Sequence, residues 1–289
     1  MISRQIRENL MSKGILDLHG KRKINEEELK NIVSFVLSLS SKRFNKIELN
    51  MNDMRLTDSN LEIVVPMASS FQTLKIGGEQ QFTENGLQKF TKYLRQRGKK
   101  SNLRRLEIHG TKAEKFQFVK KAAEEFDAFQ GMKERSQLIN GICDLLPYLK
   151  EVSLNQLLKC STFDALTHEV ENLSLWSHIK SSNLSVLSIR DCNITDSILT
   201  DGVEGLLKIQ TVDLSENPKI TSKGWKHFSS SISAESTLQH LIYQKGTITE
   251  VSAAALSELL PFLTGLDISQ SKFEGGSLQN VLKKMQDLD

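Results

Sequence analysis

A short pattern of apolar and polar positions recurs along nearly the whole chain. It reads L-x-x-L-x-L-x-x-N, where Ile, Val or Phe can stand for Leu, and Cys, Ser or Thr for Asn. The clearest copies cover residues 44–52, 184–192 and 209–217. The weaker copies are Leu16/Leu18, Phe71/Leu74/Ile76, Leu103/Leu106/Ile108, Leu149/Val152/Leu154, Leu238/Leu241/Tyr243 and Leu263/Leu266/Ile268. Their central apolar residues, at 16, 47, 74, 106, 152, 187, 212, 241 and 266, are mostly 25 to 35 residues apart, which indicates a repeat protein.

Each copy predicts a strand, a turn and a helix. Alternation in x-L-x-L-x places the apolar side chains on one face of a short strand and the polar ones on the other. The Asn or Cys that follows, such as Cys192, would hydrogen-bond the backbone where the chain leaves the strand. Apolar residues then recur at spacings of three and four, as in the segments 87–94 and 255–260, which is typical of a helix packed on the strands.

These units resemble the leucine-rich repeat proteins, over roughly residues 13–289. The repeat endings Ile220-Thr221-Ser222-Lys223-Gly224 and Phe82-Thr83-Glu84-Asn85-Gly86-Leu87 are similar to those of the ribonuclease-inhibitor-like class. The resemblance implies an α/β solenoid, a curved horseshoe with a parallel β-sheet on its concave face and helices on its convex face. It also implies a concave surface that binds protein.

The expected organisation is a single leucine-rich repeat domain over residues 1–289. Residues 1–40 would supply an N-terminal strand and a capping helix that begins after Asn25. Residues 109–148 would form an irregular helical insertion, whose second helix ends before Pro147, and residues 263–289 a C-terminal capping repeat. Residues 155–183 fit either a helix or irregular structure.

The polar positions between the paired apolar residues form the candidate binding site. The middle position of each copy is Asp17, Glu48, Lys75, Glu107, Ser153, Ser188, Asp213, Ile242 or Asp267, which is acidic in five of nine copies. The face is mixed in charge and suits a polar protein surface, because the flanking positions add Lys46, Arg105, His109, Glu151, Arg190, Asp191, Glu216, His240 and Lys245. The alternative is that this face is simply solvated. The predicted protein-binding residues are Glu48, Lys75, Arg105, Glu107, His109, Arg190, Asp213, His240 and Asp267.

Two patterns hint at chemistry, and both have a simpler interpretation. Asp213, His240 and Asp267, from three consecutive repeats, would orient an imidazole or hold a metal if they met, but no further ligand completes the set. Cys143 lies on the apolar side of a predicted helix, which favours buried packing over a nucleophilic role. Trp176 and Trp225 are interpreted as core residues. We therefore expect no enzyme activity, catalytic residue, metal or cofactor.

Six cations lie between residues 95 and 105, namely Arg95, Arg97, Lys99, Lys100, Arg104 and Arg105. They would bind a polyanion or decorate the end of a helix, whose C-terminus favours positive charge. Aromatic residues do not alternate with them, so base stacking is not indicated and nucleic acid is an improbable partner.

Charge and cysteine content limit which partners and which cellular compartment the sequence suggests. Lys and Arg number 38 and Asp and Glu 35, a difference of +3 that names no partner. The three widely spaced cysteines suit a reducing compartment, and residues 1–10 are too polar for a signal peptide. The chain also lacks the run of about 18 apolar residues that a membrane span needs.

The sequence therefore predicts a cytoplasmic monomer that binds a protein. It resembles the small leucine-rich repeat effectors that intracellular bacteria deliver through specialised secretion systems, which implies a host cytosolic protein as partner. The alternative is a eukaryotic cytosolic scaffold or the recognition region of an innate sensor.

Overall fold

A computed structural model of the chain describes residues 4–21, 23–39, 46–77, 84–97, 102–109, 142–155 and 175–286. The chain divides into two compact units, Met1–Ser153 and Leu154–Asp289. Each unit is described by itself, and the single domain over residues 1–289 stays a prediction.

The first unit contains parallel strands that pair in chain order, and helices join the first four of them. The strands are β1 (Ile15–Asp17), β2 (Glu48–Asn50), β3 (Thr73–Gly77), β4 (Arg105–His109) and β5 (Glu151–Ser153). The helices are α1 (Arg4–Lys13), α2 (Glu26–Ser38), α3 (Asp58–Ala68) and α4 (Glu84–Arg97), followed by a 3₁₀ turn at Leu146–Tyr148.

The second unit repeats this architecture. Its main strands, again parallel, are β6 (Val186–Ser188), β7 (Thr211–Asp213), β8 (His240–Ile242) and β10 (Gly265–Asp267). Two further strands, β9 (Thr247–Ile248) and β11 (Lys272–Phe273), pair with each other in a separate two-stranded sheet. The helices are α5 (Asp196–Leu206), α6 (Ser222–Ser230), α7 (Glu250–Leu259) and α8 (Ser277–Gln286), with a 3₁₀ turn at Leu260–Phe262.

The register of the second strand corrects one sequence prediction. Leu49, not Ile47, is the central apolar residue of β2, because it pairs with Leu16 on one side and Leu74 on the other. Ile47 is instead 45% exposed. Leu49-x-Met51 has the same alternation as Ile47-x-Leu49, so the sequence pattern alone did not distinguish the two registers. The residue aligned with Lys75 is thus Asn50 rather than Glu48. The set of middle positions across the strands is therefore less acidic than predicted.

The other predicted central residues lie in their strands. Leu16, Leu74, Leu106 and Val152 are at most 2% exposed in the first unit, as are Leu187, Val212 and Leu241 in the second. Leu266 is also central to its strand but is only partly buried. The buried residues face the helices and form the core of each unit, which leaves the alternating polar side chains on the opposite face of the strands.

The predicted role of the turn residues is confirmed in the second unit. The buried Asn217 amide accepts hydrogen bonds from the N–H groups of Cys192 and Ile194, both at 3.0 Å, and donates to the carbonyls of Ile189, Leu214 and Ser215. The Cys192 thiol donates to the Leu154 carbonyl at 3.1 Å. These side chains satisfy backbone groups that the turn leaves inside the protein.

Short polar residues begin the helices, as the sequence indicated for α2. Asn25 forms a reciprocal capping box with Glu28 at the start of α2. The N-caps of α3, α5, α6 and α7 are Thr57, Thr195, Thr221 and Thr249. Each threonine accepts a hydrogen bond from a backbone N–H of its helix.

Several elements differ from the sequence expectations or lie outside the described residues. Helix α1 precedes the first strand and was not predicted. The helical residues 142–143 precede Pro147, which lies in the separate 3₁₀ turn Leu146–Tyr148, where a proline in the first positions needs no N–H partner. Most of the 109–148 insertion, residues 110–141, is outside the described residues, as are residues 156–174. Residues 175–180 are helical. The 263–289 repeat contains β10, β11 and α8.

The predictions for the tryptophans and for Cys143 are confirmed. Only small fractions of these residues are exposed, 3% for Trp176, 0% for Trp225 and 1% for Cys143.

None of the helices in the described ranges combines the length and apolarity that crossing a membrane requires.

Candidate functional site

Charged side chains of the first unit form one connected network on the polar face of β2 to β5. Lys75 lies 3.0 Å from Glu48 and 3.8 Å from Glu107, which aligns with it on the next strand. Arg105 bridges Glu107 at 2.7 Å and Glu151 at 3.1 Å. The structure thus brings together five of the residues that the sequence predicted, Glu48, Lys75, Arg105, Glu107 and His109.

Glu107 is the centre of this network. Its side chain is 10% exposed, and it contacts Lys75, Arg105 and the His109 ring, whose Nε2 is 3.5 Å away. Burial by itself raises the pKa of Glu107, but the hydrogen bond with His109 and the charges of Arg105 and Lys75 outweigh it and hold the pKa below its ordinary value. The carboxylate therefore stays ionised inside a cluster of donors.

The strand register produces this arrangement. Parallel pairing aligns Lys75 with Glu107 and Arg105 with Glu151, and neighbouring strands lie about 4.8 Å apart. Long side chains at aligned positions then reach one another without any change of backbone. The acidic stripe expected from the sequence is consequently bridged by two cations in this unit, so the face carries both signs of charge in close alternation.

The polar face of the second unit has its own ion-paired cluster around Glu216. The Arg190 Nε and the Lys245 Nζ donate to Glu216 Oε1 at 3.0 and 2.9 Å. The hydrogen bonds from Lys245 and Arg190 lower the pKa of Glu216. Three consecutive repeats contribute one member each, and all three side chains are partly exposed.

Glu216 was not among the predicted binding residues, although a recurring backbone feature marks its position. Glu216 has a positive φ of 58° and lies two residues after the second inward apolar residue of its repeat. Positive φ values also occur at the equivalent positions of other repeats, namely Asp53, Asp191, Lys245 and Gln270. The strand itself ends at Asp213, and the left-handed Glu216 follows three positions later in the turn. The sequence places Glu216 among the flanking polar positions of its repeat, but strand alternation does not show that it would be the centre of an ion-paired cluster.

Asp213, His240 and Asp267 do not form the triad that the sequence allowed. Ile242 on β8 pairs with Asp213 on one neighbouring strand and with Asp267 on the other, so it separates the two carboxylates. His240 pairs instead with Thr211 and Gly265. Asp213 accepts from Ser188 Oγ at 3.2 Å, and His240 Nε2 lies 3.3 Å from the Thr264 hydroxyl. Within the described ranges, no group of three or more His, Cys, Asp or Glu residues is placed to hold a metal ion.

Asp267 is held by uncharged donors. Its Oδ1 accepts from the Ser269 N–H at 2.9 Å and its Oδ2 from the Gln244 amide at 2.6 Å. The hydrogen bonds of Ser269, followed by that of Gln244, lower the pKa of Asp267. The carboxylate is therefore ionised at neutral pH and lies on the last strand of its sheet.

The remaining candidate groups have structural roles. Burial raises the pKa of the Cys143 thiol to about 12, so the thiolate that a nucleophile requires does not form at neutral pH.

Among the cations between residues 95 and 105, Arg95 pairs with Asp144 at 2.7 Å, and Arg105 belongs to the Glu107 network. Lys99 and Lys100 lie outside the described residues. Arg95 and Arg105 are thus at least partly neutralised within the protein, and Arg104 donates to the Leu103 carbonyl.

Comparison with protein-family models and with curated proteins finds no match. Among solved structures, the chain is similar to a chain of the crystal structure of the Rad7 and Elc1 complex in yeast, with a TM-score of 0.54 and 12% sequence identity. The likeness covers 91% of this chain and 58% of the yeast chain, so this chain spans little more than half the length of the protein it matches. Together with the repeated strand, turn and helix units, the likeness shows that this chain has an α/β fold of the leucine-rich repeat kind.

Proposed function

We propose that this protein is a non-enzymatic recognition module that binds a partner protein through the polar faces of its strands. The observation that carries the proposal is the network of Glu48, Lys75, Arg105, Glu107 and Glu151, which places aligned, partly exposed charges on consecutive strands. The Arg190, Glu216 and Lys245 cluster supplies a second charged surface of the same kind.

A surface of alternating charges favours a protein partner over a small ligand. Ion pairs at neighbouring repeats hold the side chains in defined positions, so a partner with complementary charges loses less conformational entropy on binding. Each rim charge contributes modestly, and specificity would come from matching several of them at once. The similar yeast chain comes from a complex of two proteins, which is compatible with this use of the fold.

The biological setting that we propose is that of a bacterial effector acting on a host cytosolic protein as a monomer. Support for it comes from the resemblance stated for the sequence and from the two described cysteines, which are buried thiols that suit a reducing compartment. A eukaryotic cytosolic scaffold or innate-sensor region would use the same surface and remains the alternative.

The test is to capture partners from a eukaryotic cytosolic lysate with matched charge-reversed variants. Glu48→Lys/Glu151→Lys reverses the face of the first unit, and Arg190→Glu/Lys245→Glu that of the second. Glu27→Lys/Glu62→Lys and Lys180→Glu/Lys208→Glu make the same charge changes at exposed positions, three in helices and one in the turn after α5, and serve as controls. Circular dichroism verifies that each variant is folded.

Loss of a captured protein by a face variant, with retention by its matched control, would support the proposal and identify the unit that binds. Equal capture by all folded variants would contradict it. An activity that requires His240 or Cys143 would favour an enzyme instead.

A further inference from the structure

The polar face of the first unit carries more carboxylates than cations. The outward positions of β1 to β5 include two cations and four carboxylates, namely Lys75, Arg105, Asp17, Glu48, Glu107 and Glu151. This part of the face therefore has a surplus of two negative charges at neutral pH. A face with such a surplus attracts a partner surface of positive charge.

The order of these charges shows where an added cation fits. Lys75 lies between two carboxylates, 3.0 Å from Glu48 and 3.8 Å from Glu107. Arg105 likewise lies between Glu107 and Glu151, at 2.7 and 3.1 Å. Among the described residues, each cation thus has two anionic partners, whereas each terminal carboxylate, Glu48 or Glu151, has one cationic partner. The two ends of this charge row therefore favour an added cation over an added anion.

Solvent reaches both ends of the charge row. The side chains of Glu48 and Glu151 are 25% and 38% exposed, whereas that of Glu107 in the middle is 10% exposed. Glu107 is enclosed by its partners, but Glu48 and Glu151 can each accept a further donor from outside. Their ion pairs also hold both carboxylates in place, so binding orders fewer side chains.

The strand register fixes the distance between the two terminal carboxylates. Glu48 pairs with Thr73 on β3, and Thr73 pairs with Arg105 on β4. Arg105 pairs in turn with Glu151, so the two carboxylates lie at the same level of the sheet, three strands apart. At about 4.8 Å per strand, their backbones are about 14 Å apart. In an extended segment, residues i and i+4 are on the same side and about 13 Å apart, which matches this distance.

We propose that the first unit binds an extended basic segment of its partner across β2 to β5, with lysine or arginine at residues i and i+4 beside Glu48 and Glu151. This inference rests on the proposed function and specifies the partner for one of its two charged surfaces. The residue at i+2 would face the sheet near Arg105, whose side chain is 49% exposed, so it should be neutral or acidic. A third cation at that place would be repelled.

The second unit does not offer this arrangement. None of its residues at the strand position equivalent to Glu48 is acidic, because these residues are Val186, Thr211, His240 and Gly265. Its Glu216 cluster also contains two cations for one carboxylate, Arg190 and Lys245, which is the opposite surplus. We therefore expect the basic segment to bind the first unit and not the second.

The test selects binding peptides from a phage-displayed library of random dodecapeptides against the immobilised full chain. The rest of each peptide is free to supply other contacts, so the readout is the enriched pattern. We expect pairs of lysine or arginine four residues apart, without a cation midway between them. Glu48→Lys/Glu151→Lys should instead enrich pairs of aspartate or glutamate at that spacing. Glu27→Lys/Glu62→Lys, the matched change at exposed helical positions, should enrich the same pattern as the unchanged protein.

Fluorescence anisotropy then measures the affinity of a fluorescein-labelled enriched peptide for purified variants. Glu48→Gln and Glu151→Gln should each weaken binding about threefold to fivefold, as expected for one partly exposed ion pair. Moving the second cation of the peptide from i+4 to i+3 places it on the opposite side of the extended segment and should weaken binding to a similar extent. Glu27→Gln is the control and should leave the affinity unchanged.

The possible results distinguish this inference from the proposed function. Enriched peptides that lack the cation pair, or carry it at another spacing, and that Glu48→Lys/Glu151→Lys no longer binds would overturn the inference while the polar face stays a binding surface. Enriched peptides that bind this variant and the unchanged protein equally would count against both for the first unit. Failure to enrich any peptide would overturn the inference alone, because a folded partner supplies contacts that a short segment lacks.

Discussion

The carboxylate of Asp196 accepts hydrogen bonds from both the backbone N–H and the hydroxyl of Thr221, at 2.7 and 2.6 Å. Asp196 is the first residue of α5, and Thr221 is the N-cap of α6 in the next repeat. The start of one helix thus holds the start of the next. A glycine three residues after the threonine, Gly224, gives the carboxylate room, because a Cβ there would overlap it.

Removing this connection should destabilise the protein. Asp196→Ala loses two hydrogen bonds and an acidic group at a helix N-terminus, so we expect a loss of about 1 to 2 kcal/mol in the free energy of unfolding. Urea denaturation followed by circular dichroism measures it. Asp201→Ala, at an exposed position of the same helix, is the control and should change little.

Gly224→Ala tests the space beside Asp196. At an unhindered helical position, alanine would stabilise the protein relative to glycine. Here the added methyl group would collide with the Asp196 carboxylate, so we expect a loss of about 1 to 3 kcal/mol by urea denaturation. A gain in stability would show that the two helix starts are not in close contact.

Asn217 should contribute strongly to stability because it satisfies five backbone groups and is fully buried. Asn217→Ala leaves those groups without the amide, and we expect a loss of about 3 kcal/mol or more in a urea titration. Asn280→Ala on the exposed surface of α8 makes the same chemical change and should have little effect. Similar losses for both variants would contradict the role assigned to Asn217.

Acid should weaken the fold through Glu107. Its pKa is lower in the folded protein than the ordinary value of about 4.3, so its contribution is fully present above that value and is lost as the pH falls through the lower folded pKa. The free energy of unfolding, measured in urea from pH 7 to pH 3, should therefore fall less steeply with acid for Glu107→Gln. Glu235→Gln, at an exposed position, should retain the steeper dependence of the unchanged protein.

Cys143 should be unreactive while the protein is folded. Its thiol is buried, and burial raises its pKa to about 12, so both access and ionisation oppose its modification. In a Cys160→Ala background, a thiol reagent at pH 7 should modify Cys143 and Cys192 slowly in buffer and rapidly in urea. Rapid labelling of the folded protein at Cys143 would show that the site is accessible.

Local patterns in the sequence were sufficient to predict the repeated unit. Alternating apolar residues located eight of the nine central strand residues, and Asn25 marked the start of α2. These features depend on interactions within a few residues, which a single repeat already contains. The turn role of Cys192 followed from its place in the repeat, although its partners Leu154 and Asn217 lie in neighbouring repeats.

The register of β2 and the partners of the charged residues depended on contacts between repeats. Ile47-x-Leu49 and Leu49-x-Met51 are equivalent as patterns, and only pairing with Leu16 and Leu74 selected the second. The sequence likewise predicted an acidic column, but not that Lys75 and Arg105 would bridge Glu48, Glu107 and Glu151. The sequence by itself determined which residues face the core and which face solvent, because that follows from local alternation. The tertiary structure decided which polar side chains meet, because strand pairing brings together residues that are far apart in the chain.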